Sequence, residues 1–331
     1  MNDTAGFASM RERLIFFYKR QEYLLRPLIR FVLSLAVLLL LRAHLGVHGP
    51  AGAMLASTLL NVILALVCSM LPPGYSAAIL GLVMVWDLYR LSLEATAICA
   101  ALLMLCLLLY FRFSPRDSIL LLLMPVAYAV RLHYAVPVIA GLLFGPGAAV
   151  PIVFGLVFTK FVLLVEESLP ALAGGGLAAG EQMITNFRSL IDGMMNDKGM
   201  IIMAAALAAA VLVVCFLRHL IMQHAWTVAI SAGCVTELLI LLLGDMRFGT
   251  QIDLAGVLIG VVLAFAAGQL VRWFVFHVDY LHIETAQFED EDYYYYVKAV
   301  PKEAAPLYLM AEEEEENRSS DEFAPGTEPG E

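Results

Sequence analysis

The side chains best placed to do chemistry are the ionisable ones inside long apolar runs. Lys160 stands in GLVFTKFVLLVEE and Glu237 in CVTELLILLLGD. A charge held in a bilayer costs about 2.5–3.5 kcal/mol even on the mildest scales, so each such residue is a functional candidate. Lys160 either reaches outward toward Glu166 and Glu167, one to two helical turns on, or turns into the bundle. Glu237 has no basic residue within a turn. It either pairs across helices, with Lys160 as the partner, or faces a wet cavity as a proton or cation site. Asp87 and Arg90 share a helical face near an interface and read as a local ion pair.

Breaks in regular helix form the second group. In HYAVPVIAGLLFGPGAAVPIVFGLV, Pro137, Gly145, Pro146 and Gly147 interrupt apolar sequence. Broken helices of this kind line substrate sites in transporters, although Pro and Gly also serve tight helix packing, as Gly256, Gly260 and Gly268 suggest. The candidate substrate pathway is therefore Lys160 and Glu237 with Pro137, Gly145, Pro146 and Gly147. His44 and His48 stand four apart without a third ligand, and the cysteines Cys68, Cys99, Cys106, Cys215 and Cys234 form no CxxC pair, so no metal is expected. Phosphate-binding, metalloprotease and serine-hydrolase signatures are missing, and neither an enzyme nor a cofactor is expected.

The elements that must position these residues follow from composition. Hydrophobic residues make up 61% of the 331, and charged ones only 15%. A soluble domain has roughly 45–50% and about 25%. The excess falls in blocks at 27–45, 51–70, 76–91, 95–111, 118–132, 135–145, 148–165, 200–222, 226–243 and 254–276. Lipid leaves the backbone no external partner, so continuous apolar blocks of this length must be helices. The expected fold is an all-α polytopic bundle of about ten spans. The block at 135–145 is short enough to be a re-entrant half-helix instead. With both termini cytoplasmic, only Arg42, Arg90, Arg131, Arg188, Lys198 and Arg247 fall outside; every other Lys and Arg except Lys160 falls inside. The expected location is the cell membrane.

Three segments flank the blocks. Residues 1–26 are basic and amphipathic, suited to an anionic leaflet. The bundle covers 27–276, and its extracytoplasmic joint at 166–199 holds Met183, Ile184, Phe187, Leu190, Ile191 and Met194 at helical spacing, an amphipathic helix on the outer surface or capping the bundle. Residues 277–331 form an acidic tail that carries much of the net charge of −10. Within it Tyr293, Tyr294, Tyr295, Tyr296, Val297 and Val300 have high β-propensity, and either add a strand to a partner's sheet edge or set tyrosines at the headgroups. The glutamates beyond read as a solvated, disordered end.

The tail sequence FEDEDYYYYVKAVPK resembles the cytoplasmic end of a group of uncharacterised multi-pass membrane proteins of clostridial Firmicutes, some labelled transporter permeases. IAGLLFGPGAAVPIVFGLV is similar to the Gly-rich helices of substrate-binding subunits of energy-coupling-factor vitamin transporters, which have fewer spans and no such tail. Two functional classes follow. One is a permease-like subunit driven by a gradient or a separate ATPase. The other is a membrane scaffold of a secretion or envelope assembly that recruits a cytosolic protein through the tail. The bilayer is a partner in both, nucleic acid in neither, and no pattern speaks to oligomeric state.

Overall fold

The computed structural model describes residues 20–46, 58–113, 117–173, 179–220, 225–250, 253–275, 284–289 and 294–299. The chain divides into a unit at 1–274 and a second at 275–331. In the first unit every described element is helical: α1 (Glu22–Leu41), α2 (Thr58–Met70), α3 (Pro73–Leu91), α4 (Leu93–Phe113), α5 (Ile119–Ala129), α6 (Ala135–Leu143), α7 (Ala149–Ala173), α8 (Ala179–Asn196), α9 (Lys198–Arg218), α10 (Ala225–Phe248) and α11 (Leu254–Val275). Among the described residues five segments are long and apolar enough to cross a membrane: Tyr23–Leu45, Pro146–Ser168, Lys198–Arg218, Ala225–Phe248 and Leu254–Phe274. Large apolar side chains such as Leu59, Leu66, Met104, Phe216 and Val262 stand exposed on the helices. A surface of this kind is stable against lipid, and the protein is membrane-embedded.

Local chemistry sets the helix boundaries. Pro73 opens α3 at a position where a missing N–H costs nothing. Ser92 caps α4 by accepting from the Ala95 N–H at 3.1 Å, and Asp197 caps α9 by accepting from the Met200 N–H at 2.9 Å. Polar bonds tie α1, α2 and α3 together where apolar packing has no direction: the Ser69 hydroxyl donates to the Pro27 carbonyl at 2.7 Å, and the Ser76 hydroxyl to the Cys68 carbonyl at 2.7 Å.

Two packing centres result. Leu38, Leu88, Cys99, Phe161 and Val165 join α1, α3, α4 and α7. The Ala-rich α9 forms the second centre, burying Ala206, Leu207, Ala210, Val211 and Val214 against α6, α7 and α10. Pro125 removes the N–H that would bond the Leu121 carbonyl of α5. At that same carbonyl, Gly155 lets α7 close in: a Cβ there would lie 2.6 Å from Met124 Cβ and 3.1 Å from Leu121 O.

The structure revises several expectations. α7 continues to Ala173, through the first part of the predicted joint, and the amphipathic helix is α8. Leu190 is buried against the bundle while Ile184, Phe187, Ile191 and Met195 stay exposed. α6 has only 9 residues, rising about 14 Å where the hydrocarbon core is about 30 Å. It is a short buried helix continued by extended chain at Phe144 and Gly145 and a 3₁₀ turn at Pro146–Ala148.

In the second unit β1 (Glu284–Glu289) and β2 (Tyr294–Ala299) pair antiparallel, with Phe288 opposite Tyr295 and Gln287 opposite Tyr296. The tyrosine-rich strand thus pairs with β1 of its own chain; Tyr293 and Val300 lie outside the described residues. Gly155→Leu, which forces a side chain into the α5–α7 contact, is expected to lower stability by roughly 1–3 kcal/mol. Thermal unfolding of purified protein in detergent measures it, and an unchanged midpoint would show that the contact is slack.

Candidate functional site

Glycine contacts and side-chain reach give the relative levels of the helices around α5 and α6. Gly155 lies against Leu121 and Met124, and the Lys160 ammonium lies 5.6 Å from the centre of the Tyr128 ring. Residue numbers rise together, so α5 and α7 run parallel. Gly260 lies under Tyr134 and Gly268 against Val138, so α6 runs parallel to α11. Gly260 is six residues past Leu254, where α11 begins. At 1.5 Å per residue Tyr134, which follows the α5–α6 turn, is therefore level with a point about 9 Å along α11.

That turn is a Schellman closure: the Leu132 N–H donates to the Ala127 carbonyl at 2.8 Å and the Arg131 N–H to the Tyr128 carbonyl at 3.1 Å. Arg131 holds φ 61°, the one positive φ at a non-glycine among the described residues. Glycine is the usual occupant, and a side chain there costs roughly 1–2 kcal/mol. The strain is confined to a residue that faces a cavity.

The cavity is half-enclosed and about 620 Å³, within the roughly 300–1,000 Å³ of small-molecule sites. Its apolar wall comes from Leu40, Leu80, Met84, Leu103, Leu121 and Phe158 of α1, α3, α4, α5 and α7. Its polar wall holds His44, Tyr128, Arg131, His133, Tyr134, Thr159 and Asp253. His44 belongs to a π-helical turn, Arg42–Gly46, that ends α1, and its Nδ1 lies 2.6 Å from Glu166 Oε2. His133 is 7% exposed, and neither ring nitrogen has a hydrogen-bond partner among the described residues. Its ring stacks between Tyr128 (4.9 Å) and Tyr134 (4.1 Å).

None of Lys160, Glu237, Pro137, Gly145, Pro146 and Gly147 lines this cavity, whereas His44 does. The Lys160 ammonium lies over the Tyr128 ring, while Glu166 engages His44. Glu237 is fully buried at mid-α10, and both its oxygens lack a hydrogen-bond partner among the described residues. The expected Lys160–Glu237 pair is therefore not made. A buried carboxyl must be paired, protonated or hydrated, and no pair is supplied here. Pro137 and Gly141 are buried in α6, and Gly145, Pro146 and Gly147 connect α6 to α7. They shape the return of the chain rather than a binding surface, and the Arg218 guanidinium donates to the Leu142 carbonyl at the end of α6. Asp87 is buried and Arg90 exposed. All five cysteines are free and buried. No metal-binding cluster occurs among the described residues, and His48 lies outside them.

Sequence reading missed His133, Tyr134 and Asp253 because each sits in a joint between apolar blocks, where a polar residue is ordinary. The signal present was a His-Tyr pair immediately before a proline-bearing run too short to cross. Fold and site together define a polytopic helical membrane protein with an internal polar-ended cavity. No protein family, curated protein or solved structure matches the chain. Since Glu237 is buried without a partner, Glu237→Leu is expected to raise stability by roughly 1–3 kcal/mol. A fall of that size in detergent melts would instead reveal a partner that holds the carboxyl.

Proposed function

We propose that the chain is a permease-like transporter subunit of the cell membrane, crossing about ten times with both termini cytoplasmic. The observation that carries this reading is the recessed α5–α6 turn. Irregular backbone at membrane depth is tolerated where protein buries it or where it lines a water-filled cavity, and Arg131, His133 and Tyr134 of this turn line a cavity. A fold serving only as an anchor has no need of a strained arginine and an unpartnered histidine at that depth. Glu237, fully buried on α10 with neither oxygen bonded among the described residues, is then a proton or cation site that a gradient can drive. A separate ATPase is the other energy source compatible with this arrangement. His44, Arg131 and Asp253 put the polar wall at one end of the bundle, the extracytoplasmic end in this topology.

Thiol accessibility tests the reading directly. The native cysteines are buried and provide an unreactive background. Thr159→Cys, in the cavity wall, is expected to react with a membrane-impermeant methanethiosulfonate reagent at least tenfold faster than wild type, whereas Val211→Cys, buried on α9, is not. Equal, background reactivity at both would remove the aqueous cavity and the permease reading with it.

A second reading is supported by the hairpin. Two strands alone leave each an outer edge able to accept a further strand, which suits a scaffold that docks a cytosolic partner. The resemblance to the clostridial permease-like group rests on this same stretch and favours neither class by itself. Crosslinking and pull-down with intact chain and with chain truncated after residue 276 separates the two. Loss of one soluble, non-ATPase protein upon truncation is the scaffold outcome; recovery of an ATPase or solute-binding protein with both forms is the permease outcome.

A further inference from the structure

We infer that the cavity binds an anionic single-chain amphiphile, its apolar chain among Leu40, Leu80, Met84, Leu103 and Phe158 and its carboxylate or phosphate head at His133 and Arg131. The inference rests on the cavity reading above and names the ligand class for that site.

Three independent features lead to it. The first is the division of the wall. Its apolar side chains come from α1, α3, α4, α5 and α7, and its polar ones, Thr159 apart, from the turn after α1, the C-terminal end of α5 with the turn that follows it, and the start of α11. A uniformly polar solute would leave the large apolar lobe wet, and a uniformly apolar one would leave the polar end without partners. An amphiphile satisfies both.

The second is His133. A side chain 7% exposed with neither nitrogen bonded costs about 1–3 kcal/mol unless something else supplies the partner. The ring lines the cavity and is held by Tyr128 and Tyr134 on either side, so the polar group that completes it must come from within the cavity.

The third is charge. Arg131 stands two residues from His133 in the same turn, and both line the cavity. Of the carboxylates nearby, Glu166 is engaged by His44, and Asp253 stands on the same polar wall. The Arg131 guanidinium beside the unbonded imidazole gives an anionic head a charged partner, which favours it over an ammonium. Such a chain reaches the cavity either from the bilayer, as an anionic lipid, or from solution, as a free acid.

The test uses full-length protein in phosphatidylcholine nanodiscs titrated with dansyl-undecanoate, with empty discs as the reference for partitioning. Expected are one saturable site per chain and displacement by laurate at least tenfold more effective than by dodecylamine. His133→Phe is expected to weaken binding about tenfold or more, and Leu80→Trp, which fills the apolar lobe, to abolish the saturable component. Should Leu80→Trp fail to fold by melting temperature and size exclusion, Leu121→Phe replaces it. Competition from phosphatidylglycerol placed in the disc assigns the site to bilayer lipid, and its absence alongside laurate competition assigns it to a free acid. Preference for dodecylamine, probe uptake no greater than by empty discs, or wild-type binding by both variants overturns the inference. If Thr159→Cys is labelled while the probe fails to bind, the ligand class falls and the aqueous cavity stands. If neither occurs, both fall.

Discussion

Lipid offers a backbone no hydrogen-bond partner, and the arrangement of this protein turns on how one irregular segment meets that constraint. The turn between α5 and α6 leads into Tyr134, which is level with a point about 9 Å along α11, where helix is the ordinary solution. Its carbonyls are closed by a Schellman pair, and its polar side chains face a cavity instead of hydrocarbon. The short α6 and the extended chain at Phe144 and Gly145 follow from the same choice. A helix that begins at depth has less membrane left to cross and completes the return in extended form.

The scaffold that tolerates this is built from close approaches. Pro125 and Gly155 act as a pair: the proline leaves a carbonyl without its helical donor, and the glycine brings the next helix against that carbonyl. Gly260 does the same for the Tyr134 ring, which lines the cavity. In lipid such contacts replace the hydrophobic drive, because a side chain leaving its helix neighbour meets surroundings as apolar as those it left. The Ala-rich α9 serves as the wall against which α6, α7 and α10 pack.

Charge is distributed around this scaffold in two forms. His44 with Glu166 closes a pair at the rim. Inside it, Lys160, Tyr128, His133 and Tyr134 follow one another from α7 across the α5–α6 turn by ring contact. The sequence left open a Lys160–Glu237 pair or a wet cavity for Glu237, and no such pair is made.

Membrane embedding, helical class and the position of each apolar helix were legible from sequence, because the bilayer acts on every residue of a span and its demand is written as continuous hydropathy. The amphipathic helix at α8 was legible for the same reason, its period being local. Lys160 and Glu237 stood out as charges against an apolar background. Their relation to His133, Tyr134 and Asp253 was decided only in three dimensions. These residues lie in joints, where a polar side chain carries no signal, and their depth depends on which helices lie parallel and how far each extends. That is set by contacts such as Gly155 with Met124 and Gly260 with Tyr134, between residues far apart in the chain, and no local pattern encodes them.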